Sequence, residues 1–91
     1  MRVMVRLPIA LRPFADGRAE VPVQAATVGS ALADLLERYP SLRRQLYAED
    51  GALRSYVNVF LNEDDLRYCG GEAAELRDGD VISIIPSIAG G

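Results

Sequence analysis

The residues best suited to chemistry stand at the end of the chain, Ile88-Ala89-Gly90-Gly91. A carboxylate on Gly-Gly is the least hindered that a polypeptide can offer. Without Cβ atoms, Gly90 and Gly91 can pass along a narrow channel and adopt dihedrals closed to other residues. Fully extended, residues 87–91 reach about 16 Å. That is enough to carry the terminal carboxylate to a nucleotide held inside another protein, so the chemistry would belong to that partner. On composition alone, the same uncharged residues also read as a frayed end.

Other reactive groups are scarce. The chain has no His and one Cys, Cys69. No internal disulfide can form, and no Cys/His metal cluster is possible. Neither His nor Lys is present to lower the thiol pKa, so Cys69 reads as a small apolar residue near a turn. A thiol that forms an acyl disulfide with a partner is the sharper but weaker reading. All ten cations are Arg, and the net charge is −3, with a sequence pI near 4.8. Nucleic-acid binding needs clustered cations and is disfavoured. Met1 to Arg6 alternates polar and apolar residues and lacks the apolar core of a signal peptide. No apolar run is long enough to span a bilayer. A cytoplasmic location is therefore expected.

The elements that must position the tail fit one small domain within the 91 residues. Val3, Val5 and Leu7 alternate with Arg2, Met4 and Arg6, the period of a strand with one buried face. Pro8 ends it. Ile9 to Gly17 reads as a loop in which Leu11 and Phe14 could pin the chain to the body. A second alternation, Arg18 to Val23, contains Pro22 and so belongs at a sheet edge.

The period then becomes helical. Thr27 is an N-cap, and Val28, Leu32, Leu35, Leu36 and Tyr39 form the apolar stripe, which Pro40 stops. Leu42 and Leu46 predict a short second helical turn, ending near Asp50-Gly51. Tyr56 to Asn62 is a third strand, and Asn62-Glu63-Asp64-Asp65 an acidic turn. Leu66 to Tyr68 reads as a short strand broken by Gly70-Gly71. Asp78-Gly79-Asp80 is a strong turn signal, and Val81 to Ile85, closed by Pro86, is the last strand. The fold class is α+β, with a sheet of four to five strands packed on one main helix. Residues 1–86 form the domain and residues 87–91 the tail.

The last strand is apolar on both faces. Ile82 and Ile84 share one face; Val81, Ser83 and Ile85 share the other. Ser83 marks its own face as the outer one. With Met4 and Phe60 outward on neighbouring strands, Ile85 would complete an exposed apolar patch, a common sign of an interaction site.

These features together resemble the MoaD/ThiS family of ubiquitin-like sulfur carriers across the whole chain. The resemblance rests on the element order, Thr27-Val28-Gly29 and Arg38-Tyr39-Pro40 bounding the helix, the Asp78-Gly79-Asp80 turn and the final Gly-Gly. Leu11-Arg12-Pro13, the segment Tyr56 to Arg67 and Gly70-Gly71 are most similar to the CysO branch. The resemblance implies a β-grasp fold in which the first and last strands are parallel neighbours at the centre. It implies that Gly91 is adenylated with ATP by an activating enzyme of the MoeB/ThiF kind. Sulfide or a persulfide donor would then convert the acyl-adenylate to a thiocarboxylate.

Within the resemblance, Gly90 lets the tail thread, and Ala89 and Ile88 lie along the entry channel. Met4, Phe60 and Ile85 match the partner-binding surface. The implied protein is a carrier with no bound cofactor, not an enzyme. It would donate sulfur to a cysteine-synthase-like or thiazole-synthase-like enzyme. Two alternatives stay open: the small subunit of molybdopterin synthase, and a protein modifier joined through Gly91. MoaD proteins often carry aromatic residues in the last strand, where this chain has Ile84 and Ile85, which weakens the molybdopterin reading.

Overall fold

Strand alternation in Arg2–Arg6 (β1) and Glu20–Gln24 (β2) turns Val3, Val5, Val21 and Val23 inward. The two pair antiparallel, with Met4 opposite Pro22. Pro22 has no N–H to donate, which suits its place on the outermost strand. The computed structural model describes residues 1–86.

The main helix, α1 (Val28–Arg38), begins at a reciprocal cap. Thr27 Oγ1 accepts from the Ser30 N–H, and Ser30 Oγ accepts from the Thr27 N–H. Ser30 takes the part that Glu or Gln plays in the usual capping box. Val28, Ala31, Leu32, Leu35 and Leu36 are buried against the sheet. Tyr39 stands just past the last turn, half-buried against the core. A 3₁₀ turn at Pro40–Leu42 and the short α2 (Arg43–Leu46) follow, burying Leu42 and Leu46.

The remaining strands are β3 (Val57–Leu61), the two-residue β4 (Asp64–Asp65) and β5 (Val81–Pro86). The sheet order is β2-β1-β5-β3-β4, with β1 and β5 parallel and every other pair antiparallel. One main helix packed across a five-stranded mixed sheet is the β-grasp arrangement. The core includes Ile82 and Ile84 of β5, and among the described residues no polar or charged residue is buried.

Three local expectations need correction. Leu66–Tyr68 is a 3₁₀ turn, not a strand. Asp65 caps it by accepting from the Arg67 N–H at 2.9 Å, and Gly70 and Gly71 both take positive φ beyond it. The strand that does form there is β4, within what reads as an acidic turn. The segment Ile9–Ala15 is 3₁₀-helical and not an open loop. It is pinned by Leu11 and Ala15, both buried, whereas Phe14 is 36% exposed.

Candidate partner-docking face and tail root

Because β5 is central, where it starts and stops decides where the tail begins. Its start is locked by the turn Asp78-Gly79-Asp80. Asp78 Oδ1 accepts from the Arg2 N–H at 2.9 Å, and Asp80 Oδ2 accepts from the Arg77 N–H at 2.8 Å. Gly79 takes φ +88° and donates its N–H to the Arg2 carbonyl, while Met4 N–H donates to the Asp80 carbonyl. Asn62, itself at φ 56°, joins the third strand to this lock. Its Oδ1 accepts from the Val81 N–H at 3.0 Å, and its Nδ2 donates to Asp80 Oδ1 at 3.2 Å. The turn thus ties β1, β3 and β5 together at one end and fixes their register.

That register sets the outer face. Met4 lies opposite Val81, Arg6 opposite Ser83, Phe60 opposite Ser83 on the other side, and Asn58 opposite Ile85. The structure therefore puts Met4, Phe60 and Ile85 on one face, but in three different rows. Val81 and Ile85 are separated by about 13 Å along the strand. Ile85 is 47% exposed; Met4 and Phe60 are half-buried. The face is an apolar diagonal, with the polar Arg6 and Ser83 in the same row as Phe60.

Arg6 was not singled out by its sequence. Alternation alone turns it outward, but only the parallel pairing brings it beside Ser83. It is held by Glu20, whose Oε2 accepts from Arg6 Nε at 2.9 Å. Tyr56, 49% exposed, immediately precedes β3, whose first residue, Val57, pairs with Pro86 at the end of β5. Cys69 is half-buried against the core, and its Sγ lies 3.8 Å from the Leu66 carbonyl. This is the environment of a small packed side chain. Ile88, Ala89, Gly90 and Gly91, the predicted reactive tail, lie outside the described residues.

The family model described as the ThiS family matches residues 5–91. The chain belongs to the ThiS family. Among its ThiS-family relatives is the sulfur carrier protein CysO of Mycobacterium tuberculosis, 36% identical over 93 residues and covering all of both chains. CysO in the crystal structure of the Amycolatopsis orientalis BexX/CysO complex superposes with a TM-score of 0.86 at 36% identity, covering 98% of this chain and 99% of that one. Small archaeal modifier protein 3 of Haloferax volcanii is 41% identical over 66 residues, 72% of this chain and 71% of that protein. Among the described residues, no helix is long and apolar enough to cross a membrane.

Proposed function

We propose that this ThiS-family protein is a sulfur carrier that holds sulfur as a thiocarboxylate on Gly91. The observation that carries the reading is full-length kinship with CysO-type carriers. The docking face and the central, register-locked β5 support it. A carboxylate is a poor electrophile. Its oxygen would attack the α-phosphorus of ATP in an activating enzyme of the MoeB/ThiF kind, and pyrophosphate would leave. Hydrosulfide would then attack the acyl carbon, forming C–S as the C–O bond to AMP breaks. The domain contributes position: Gly90 lets the tail thread, Ala89 and Ile88 line its path, and Met4, Phe60 and Ile85 hold the partner.

The carrier is then a substrate loaded and unloaded by others, not an enzyme. The acceptor would be a cysteine-synthase-like or thiazole-synthase-like enzyme making cysteine or another sulfur-containing metabolite. The cytoplasm is where such partners and ATP meet. Residues 1–86 serve as the body and 87–91 as the delivery arm.

Intact-mass spectrometry after incubation with the activating enzyme, ATP and sulfide tests this. The expected result is a gain equal to exchanging one oxygen for one sulfur. No gain with an active enzyme, or the same gain after deletion of Gly91, would overturn it. The likeness to the Haloferax modifier supports a second reading, attachment through Gly91 to target lysines. Reductant-resistant adducts on denaturing gels would favour that reading.

A further inference from the structure

The helix layer carries a feature that the tail chemistry does not use. An open groove of about 780 Å³ runs between α1, α2, the loop through residues 47–54 and the 3₁₀ turn Gly71–Ala73. None of its lining residues lies on a strand, so it is separate from the outer sheet face. Its small-residue lining includes Gly29, Ala33 and Gly51, and Arg43, Arg44 and Arg54 line it as well.

Three side chains give this groove its sign. The ion pairs among the described residues are Arg6–Glu20, Arg38–Asp34 and Arg67–Asp65, so none of the three groove arginines has a carboxylate of the described residues within 4.0 Å. Arg54 is oriented by a hydrogen bond from its Nε to the Arg44 carbonyl at 2.7 Å. Its two terminal nitrogens have no hydrogen-bond partner among the described residues. Tyr47 adds a phenol. Burial, then the Glu72 carboxylate, push it up to about 12 against the opposing pull of Arg43. It therefore stays a hydrogen-bond donor at any ordinary pH.

We infer that this groove docks an acidic segment of a protein partner, separately from the outer sheet face. Charge complementarity chooses the occupant. Three guanidinium groups against the two carboxylates of Glu49 and Glu72 leave the lining net positive in a protein of net charge −3, and Arg forks match carboxylates well. At about 780 Å³ the groove is much larger than a lone small anion needs and falls in the range that holds ligands of many atoms. Glu49 and Glu72 also line it. They repel a densely charged ligand such as a polyphosphate but accommodate a peptide that mixes acidic and apolar residues. A carrier gripped here keeps its outer sheet face available to a second protein.

The test is a titration of the full ¹⁵N-labelled chain with an end-blocked eight-residue peptide of glutamate and leucine. Amide shifts should be saturable and confined to Gly29, Ala33, Arg43, Arg44, Tyr47, Gly51 and Arg54, and should weaken as salt is raised. The double variant R43E/R44E should lose at least about 10-fold in affinity, a modest loss for two charge-assisted contacts. Neither side chain makes a hydrogen bond among the described residues, so the fold should persist; the same spectrum reports it. The single variant R44A should weaken binding with no change in fold. The inference is overturned if no saturable shift appears at millimolar peptide, or if Arg6, Arg12 and Arg18 shift equally. It is also overturned if the variants bind as well as the parent, or if inorganic phosphate at the same concentration displaces the peptide. None of these readouts requires Gly91 to be activated, so they stand apart from the sulfur-carrier test.

Discussion

The two ends of β5 are built differently. At its start, Asp78, Asp80 and Asn62 fasten three strands with side-chain and backbone bonds. At its finish, the ladder closes on Pro86 opposite Val57, a residue without an N–H to extend the pairing. On the outer face, Ile85 beside it is 47% exposed, whereas Val81 at the start is half-buried. One end spends its residues on order and the other on access. A domain that offers a tail to partners needs both: the locked end fixes the direction and the open end delivers it.

The strongest way to break this contrast is at the delivery end. Deleting Gly91 should abolish sulfur loading by intact mass while leaving the melting temperature unchanged, because residues 1–86 supply a buried core of their own. A lowered melting temperature would mean that the tail is part of the body. Next, Ile85→Asp should weaken the activating partner's affinity roughly 30-fold, the factor for an interface side chain worth about 2 kcal/mol. Stability should change little, since the side chain is already 47% exposed. Calorimetric titration against the partner would read the first effect and thermal denaturation the second. Unchanged affinity would remove Ile85 from the docking face.

What could be read from the sequence follows the same division. Wherever burial imposes a period, the residues announced the element: Val3 and Val5, Val21 and Val23, the stripe from Val28 to Leu36, and Ile82 and Ile84. The helix cap at Thr27 was legible, although its partner Ser30 was not an obvious one. Elements made by side-chain bonds were hidden. Asp64–Asp65 has no strand propensity; it forms β4 because Phe60 and Leu61 pair with it. Leu66–Tyr68 carries strand-like residues but curls because Asp65 caps it. The candidate docking face was half legible. Alternation turned Met4, Phe60 and Ile85 outward, but the row Arg6-Ser83-Phe60 depends on a pairing between residues far apart in sequence.

At the locked end, the effect should fall on stability instead of chemistry. Asn62→Ala loses two hydrogen bonds and must hold φ 56° with a Cβ that prefers other regions. A cost of about 2–3 kcal/mol is expected. Asn62→Gly loses the same bonds without the backbone strain and should cost about 1 kcal/mol less. Urea denaturation of the pair separates the two contributions. Sulfur loading should be retained by both variants while folded. If either variant loses loading without losing stability, the start of β5 does more than set register.

The smallest effect should come from β4, where Asp65 meets Arg67 through a 2.8 Å ion pair and caps the following turn. The side-chain hydrogen bond from Arg67, reinforced by that from its backbone N–H, lowers the Asp65 carboxyl below the usual carboxylate range. A depressed folded-state pKa means that the unfolded chain binds the proton more readily. The contribution is therefore present above the ordinary carboxylate pKa and is lost as pH falls through the folded value. Asp65→Asn should reduce stability slightly at neutral pH, with the difference from the parent closing in acid. Because the Arg67 side chain is largely exposed, added salt should also shrink the ion-pair part of that difference. A difference that persists unchanged in acid would show that the cap geometry matters and the charge does not. Asp65 would then join Asn62 as a device of shape at the ordered end of the sheet.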